Sequence, residues 1–227
     1  MEKIRRLYYF TKANHAVCNI KRRRLKISFP DQVNDIFEMN PFDFGQDRAA
    51  RHAWKKLIAN VSEKLGFISF SHHWSSPTMW GHYAADHSGV CCGFDIPEPY
   101  IKQIQYVPEL RPFNSLALTD EEVFDSEAEY ARSTKSSHWE YESEWRLPAK
   151  LTEQEIKDKL QGKSERFFVP FGGNLRLREV IIGARSDTTS EQIRSALSSE
   201  DNVVIKTARP SFRAYKIVEQ RDPKLKR

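Results

Sequence analysis

Trp139-Glu-Tyr-Glu-Ser-Glu-Trp-Arg-Leu147 is the stretch whose reading decides the fold. Charged and aromatic residues alternate through it, and a period of two marks a strand with one face buried. A strand over Tyr141 to Leu147 puts Glu140, Glu142, Glu144 and Arg146 on one side. Trp139, Tyr141, Ser143, Trp145 and Leu147 fall on the other, which composition assigns to the core. Neighbouring carboxylates raise one another's pKa. Arg146 offsets that cost, most easily for Glu144. Such a face is either a solvated ion-pair ladder or a row of carboxylates set beside a guanidinium that could carry chemistry.

Outward from this strand, the pattern alternates between helix and strand without a strict βαβ repeat. Arg6 to Thr11 reads as a strand, Lys12 to Arg23 as a helix, and Leu25 to Phe29 as a strand stopped by Pro30. Trp54, Leu57, Ile58, Val61 and Leu65 recur at helical spacing, which predicts a helix from Gln46 to Leu65 ended by Gly66 at C′. Phe67 to Ser71 reads as a strand and Pro77 to Ala85 as a short helix with Pro in its first turn. Gly89 to Asp95 and Lys102 to Val107 follow as strands, and Asp120 to Arg132 as an acidic helix. Phe167 to Pro170 and Leu177 to Ile182 are further strands. A helix with capping-box spacing at Thr188 and Glu191 comes next, and Val203 to Thr207 and Phe212 to Val218 close the chain as strands. The fold class expected is α+β, with a mostly antiparallel or mixed sheet flanked by helices. One domain over residues 1–220 and a basic tail over 221–227 is the expected organisation.

The chain has 227 residues, 36 Lys+Arg and 31 Asp+Glu, and its 27 aromatic residues are ample material for a core. No stretch approaches the roughly 18 apolar residues of a membrane span. The first eleven residues do not read as a signal peptide, and a cytoplasmic location is expected. Charge is uneven. Residues 1–26 carry nine basic residues and one acid, residues 209–227 carry seven and two, and the middle is net acidic. Basic ends suit a phosphate-bearing ligand or nucleic acid, or they are merely solvated surface.

Three cysteines, two of them adjacent at Cys91 and Cys92, make no disulfide framework. The His72, His73, His82, His87, Cys91 and Cys92 group matches no zinc spacing, so no metal is expected. P-loop, dinucleotide-fingerprint and serine-hydrolase signatures do not occur. Between Phe67 and Ala84, hydroxyls and imidazoles lead into a helix presenting Met79, Trp80 and Tyr83. These are core residues, or else Tyr83 or Trp80 stacks on a planar ring in a cleft.

Four landmarks in order resemble a bacterial family, domain of unknown function 2971. The first is Leu25-x-x-Ser28-x-Pro30 running into Asn34-Asp-Ile-Phe-Glu38. The second is Phe70-Ser71 followed by Met79-Trp-x-x-Tyr-Ala84 and Gly89. The third is Trp139-x-Tyr-Glu-x-Glu-Trp-Arg146 with Lys135 upstream, and the fourth is Val180-Ile-Ile-Gly183. Where the family usually has Pro after Asn-Asp, this chain has Ile36. The layout also resembles, remotely, that of DarT-type ADP-ribosyltransferases. Tyr8-Tyr-Phe-Thr11 precedes the first helix, Ser76-Pro-Thr-Met-Trp80 follows a strand, and Glu142-Ser-Glu144 matches a Glu-x-Glu pattern. Tyr9 stands where those enzymes carry His.

That resemblance implies an ADP-ribosyltransferase-like fold and NAD as substrate. It implies that Glu144 stabilises charge at the ribose and that Glu142 orients or deprotonates the acceptor; Arg146, which offsets the charge of Glu144, completes the candidate catalytic set. Tyr83 or Trp80 would stack on nicotinamide, Tyr9 and Thr11 would contact the adenosine side, and Ser71 would shape the pocket. A toxin or anti-phage defence role follows from the resemblance, with a nucleic-acid or protein acceptor and a neutralising antitoxin or defence partner. Two alternatives stay open. One is a catalytically inactive module that binds a nucleotide or partner, and the other a protein that binds or cleaves nucleic acid through its basic N-terminal helix. Asn34 and Asp35 fix a loop over the cleft or make an Asx turn.

Overall fold

The computed structural model describes residues 2–199 and 202–227. In chain order the elements are β1 (Ile4–Thr11), α1 (Ala13–Lys21), β2 (Arg24–Lys26), β3 (Phe42–Asp43), α2 (Arg48–Ser62), β4 (Leu65–Ser71), α3 (Pro77–Tyr83) and β5 (Val90–Pro97). Then come β6 (Lys102–Gln103), β7 (Gln105–Val107), β8 (Arg111–Pro112), α4 (Glu121–Ser133), β9 (Thr134–Ser136) and β10 (Glu144–Lys150). The chain closes with α5 (Glu153–Leu160), β11 (Phe168–Pro170), β12 (Arg176–Ile182), α6 (Ser190–Ala196), β13 (Val204–Pro210) and β14 (Ile217–Glu219).

Eight strands form one mixed sheet in the order β14-β13-β12-β5-β1-β4-β10-β6. Neighbours are antiparallel except β12 and β13, which run parallel with α6 between them in sequence. Two-residue periodicity sorts the side chains of β1. Leu7 and Tyr9 join a core shared with Ala16 and Ile20 of α1 and Ile193 of α6, while Tyr8 and Phe10 join a second core with Met79 and Trp80 of α3. Because both faces are covered, β5 reads as a continuous apolar run, with Cys92 on the first face and Cys91 on the second. Each large apolar side chain buried here stabilises the fold by about 1.5–3 kcal/mol.

A third core lies off the sheet. On α2, Trp54 and Ile58 lie one turn apart and pack on Met39, Phe42 and the Ala128/Ala131 face of α4. The indole Nε1 of Trp54 donates to the Met39 carbonyl at 3.1 Å, and the rings of Phe42 and Trp54 meet edge-on at 5.1 Å. This aromatic knot pins the segment that follows β2 beside the sheet.

The structure moves several expected boundaries. The helix α2 is shorter than its apolar pattern suggests, because Leu65 already pairs in β4. Gly66 is therefore a strand residue rather than a helix terminator. A Cβ there would stand 2.4 Å from Ile27 and 2.6 Å from the Ser28 carbonyl, so the glycine permits a close strand approach. The capping box sits one residue later than expected, on Thr189 and Gln192. The Lys102 to Val107 strand is split between two sheets as β6 and β7. Phe212 to Lys216 is an open turn, with the last strand starting only at Ile217. Among the described residues, no helix is long and apolar enough to cross a membrane.

Candidate functional site

The strand order sets β1, β4 and β10 side by side, with Tyr8 opposite Ser71 and Ser71 opposite Glu144. Residues that face one way from these strands line a cavity of about 420 Å³. Tyr8, Ser69, Ser71, Glu144 and Arg146 come from the sheet; Tyr83 and Met79 come from α3. The opposite wall is the segment after β2, through Ser28, Gln32, Asn34 and Glu38.

The alternation expected from Tyr141 to Leu147 is broken. Ser137–Glu142 is a run of 3-10 turns, and the strand begins at Glu144. Between them Ser143 takes the left-handed conformation, φ 45° and ψ 51°. Glu140 thereby leaves the charged face and is exposed, while Glu142 and Glu144 both turn toward Lys135 of β9. The burial is also the reverse of the composition argument. Glu142, Glu144 and Arg146 are 3–4% exposed. Tyr141 and Trp145 are only partly covered, Trp145 with Arg5 lying 4.2 Å over its ring. A charged face can be buried when every charge finds partners.

Arg146 meets that condition in full. Its Nε donates to Glu144 Oε1 at 2.8 Å and its Nη2 to Glu144 Oε2 at 3.1 Å. Nη1 donates to Glu38 Oε1 at 2.6 Å and to the Arg132 carbonyl at 3.2 Å, and Nη2 to Glu38 Oε2 at 2.9 Å. Five acceptor contacts match the five N–H groups of a guanidinium. The Phe67 ring lies 4.2 Å beneath it. Glu144 also accepts from the Ser69 hydroxyl at 2.6 Å, and Lys135 Nζ lies 3.4 Å from its Oε2. The main-chain N–H of Glu144 donates to the Tyr106 hydroxyl at 2.8 Å. Lys135 donates to Glu142 at 2.5 Å, and the Tyr83 hydroxyl donates to the same carboxylate while accepting from Asn34 Nδ2 at 3.0 Å. Tyr141 OH and His82 Nδ1 lie 3.0 Å apart at the rim.

Three carboxyl groups face two cations in this cluster, so its net charge is set by whether Glu38 is ionised. Burial pushes against the charge of Glu144, but Arg146 and Lys135 outweigh it and hold the carboxyl below its ordinary value. Glu38 has the same guanidinium but not the same balance: burial wins, and its carboxyl is raised. Burial also disfavours the Lys135 ammonium, yet Glu144 and Glu142 overcome this and raise it. Burial and the bond to Glu142 both raise the Tyr83 hydroxyl, which stays protonated. The result is an ionised carboxylate at a cavity floor, with a proton-holding tyrosine three hydrogen bonds away through Lys135 and Glu142.

Of the residues expected at a site, Glu142, Glu144, Arg146, Ser71 and Tyr83 come together here. Trp80 does not. It is fully buried, with its Nε1 donating to the Trp74 carbonyl at 2.6 Å and its ring edge-on to Phe10. Thr11 is buried at the far end of β1, paired with Val90, and is not part of the cavity lining. Tyr9 runs along the cavity wall, but its ring packs on Phe70 in the first core, and burial pushes its hydroxyl up to about 12. Tyr8, one residue earlier, faces the cavity instead, since strand neighbours alternate. Sequence reasoning gave no role to Ser69, although it lies two residues from Ser71 and hence on the same face. Asn34 and Asp35 divide the two readings given them. Asn34 bonds Tyr83 at the cavity, and Asp35 accepts from the Phe37 N–H at 2.9 Å as an Asx turn.

Fold and site together describe a mixed α+β protein with a cleft floored by a buried, fully paired charge cluster. Residues 79–147 match the family described as Protein of unknown function (DUF2971). The matched segment covers just under a third of the chain, from α3 through β10. It contains Tyr83, Lys135, Glu142, Glu144 and Arg146, the whole cluster apart from Glu38. No curated protein and no solved structure matches this chain.

Proposed function

We propose that this protein cleaves the nicotinamide–ribose bond of NAD and passes the ADP-ribosyl group to an acceptor. The observation that carries the reading is Glu144, a buried carboxylate held ionised by Arg146 at the floor of a nucleoside-sized cavity. Loss of nicotinamide develops positive charge on the ribose, and a fixed carboxylate in a water-poor site stabilises that charge. Ser69 and Arg146 fix the orientation of Glu144, so little reorganisation is needed as charge forms. Glu142, bonded to Lys135 and Tyr83, is the carboxylate available to orient the acceptor or take its proton. The Glu142 and Glu144 carboxylates suit a cationic pyridinium ring better than a diphosphate, which would stay nearer the mouth. The resemblance to DarT-type enzymes supports the same chemistry and, with it, a toxin or anti-phage defence role.

One observation favours a second reading. Every N–H of Arg146 is taken by the protein, and Glu144 is bonded on both oxygens. A cluster so complete also serves as a clamp, in a module that binds a nucleotide or partner without turnover.

Nicotinamide release from NAD, measured with wild type and Glu144→Gln, separates the two. Glycosyl transfer requires release by the wild type, and a drop of about a thousand-fold or more in the variant with the circular-dichroism spectrum retained. NAD that raises the melting temperature without any release identifies the binding module.

A further inference from the structure

The β13–β14 hairpin carries a surface that the cavity does not explain. Its turn reads Ser211-Phe-Arg-Ala-Tyr-Lys216. Phe212 is 90% exposed and Tyr215 101% exposed, so both rings stand in water although each could bury apolar area. They alternate with Arg213 and Lys216, and the Arg209 guanidinium lies 4.8 Å from the Phe212 ring centroid. The chain end returns to the same strand: the Arg227 N–H donates to the Thr207 hydroxyl at 3.1 Å. Residues 209–227 hold seven basic residues and two acids.

We infer that this hairpin is a binding surface for single-stranded nucleic acid, with Phe212 and Tyr215 stacking on bases and Arg209, Arg213 and Lys216 following the backbone. Exposed rings interleaved with cations are what unpaired bases on a phosphate chain require. A duplex offers the phosphates but keeps its bases stacked, so it would leave both rings without a partner. A second copy of the chain is disfavoured because the surface is strongly positive and would face itself. A lipid surface calls for a broader continuous apolar face than this turn offers, since Arg213 and Ala214 are all that lies between its two rings. The hairpin is also tied to the cavity wall. The Ile217 N–H donates to the Ser75 carbonyl at 2.9 Å, and Ile217 packs in one core with Met79, which lines the cavity. A strand held on the hairpin therefore sits beside the cleft. Under the glycosyl-transfer reading it is the acceptor, but the binding itself does not depend on that reading.

The test is fluorescence anisotropy of labelled twelve-nucleotide dT and rU strands and a duplex of equal length, without NAD, between 50 and 200 mM salt. Single strands are expected to bind more tightly than the duplex. The log–log salt slope should be about −2, from some three phosphate contacts. Phe212→Ala and Tyr215→Ala should each weaken binding about five-fold or more, and the double variant more than tenfold, with an unchanged melting temperature. Three results overturn the inference: no binding at 50 mM salt, equal binding of duplex and single strand by wild type and the double variant, or capture of anionic phosphatidylserine vesicles where the oligonucleotides do not bind. A strand that binds as described to a protein releasing no nicotinamide would leave the hairpin assignment intact and remove only the enzyme.

Discussion

Two groups of ion pairs are anchored on strands of the same sheet, and they differ in almost everything except residue type. Along β1, β5, β12 and β13, Arg6 meets Asp95 at 2.5 Å and Glu179 at 3.2 Å, Arg178 meets Asp95 at 3.2 Å, and Lys206 meets Glu179 at 3.0 Å. Those side chains keep 14–38% of their surface in water. On β10 and its neighbours, Glu38, Lys135, Glu142, Glu144 and Arg146 keep 2–7%. The first group is the ion-pair ladder that an alternating charged strand suggests, and such ladders contribute little. The second has lost its hydration, and each charge depends on its partners. What separates them is cover. The segment from Ser28 to Glu38, held down by the Phe42–Trp54 knot, closes over one group and leaves the other open.

The sharpest way to break this comparison is to remove the guanidinium from each group. Arg146→Ala strands two buried carboxylates and should cost about 3–5 kcal/mol. For a chain of this size that is a fall in melting temperature of roughly 10 °C. Arg6→Ala should cost under about 1 kcal/mol, because water replaces it. Equal losses in urea titrations of the two variants would dissolve the distinction.

The two carboxylates on Arg146 should then separate with pH. The folded value of Glu144 is depressed, so its contribution is present above the ordinary 4.5 and is lost as pH falls through the depressed value. Glu38 is raised, so its ionised form works against the fold, and that penalty grows as pH rises through the raised value. Glu144→Gln should therefore destabilise by about 1–3 kcal/mol at neutral pH. The gap should narrow below pH 4.5. Glu38→Gln should cost under about 1 kcal/mol and improve relative to wild type as pH rises. Denaturation midpoints from pH 3 to 8 check both slopes.

A smaller effect concerns the turn that assembles the cluster. Ser143→Gly removes a strained left-handed side chain and should stabilise by about 0.5–1 kcal/mol, whereas Ser143→Val should destabilise by more than that. Smallest of all is salt. At 1 M the screening length is about 3 Å, so the open ladder should contribute nothing measurable while the difference between Arg146→Ala and wild type persists.

Much of this was legible in residue order. Helical spacing located α2 and Trp54, Pro77 opened α3, and Glu142, Glu144 and Arg146 stood out by their pattern. What period-two reasoning missed was the break at Ser143. A left-handed serine leaves no mark in composition, yet it decides which carboxylates meet Lys135. Burial was misjudged because residue type was weighed without long-range partners. Glu38 is 108 residues from Arg146, and Asn34 is 49 from Tyr83. Trp80 was expected to stack on a ring and Tyr9 to contact the adenosine side, but aromatic character alone does not say which way a side chain faces. Alternation from Phe10 and Leu7 does say it, and assigns Tyr8 to the cavity.

The cleft floor holds one carboxylate whose ionised form is favoured beside a neighbour that is more easily protonated. Carbon-13 NMR titration of Glu-labelled protein, with Glu144→Gln and Glu38→Gln as assignments, tests it directly. The Glu144 carboxyl is expected to titrate below 4.5 and the Glu38 carboxyl above it. A Glu144 signal that titrates with, or above, that of Glu38 would contradict it, and with it the electrostatic basis of the proposed chemistry.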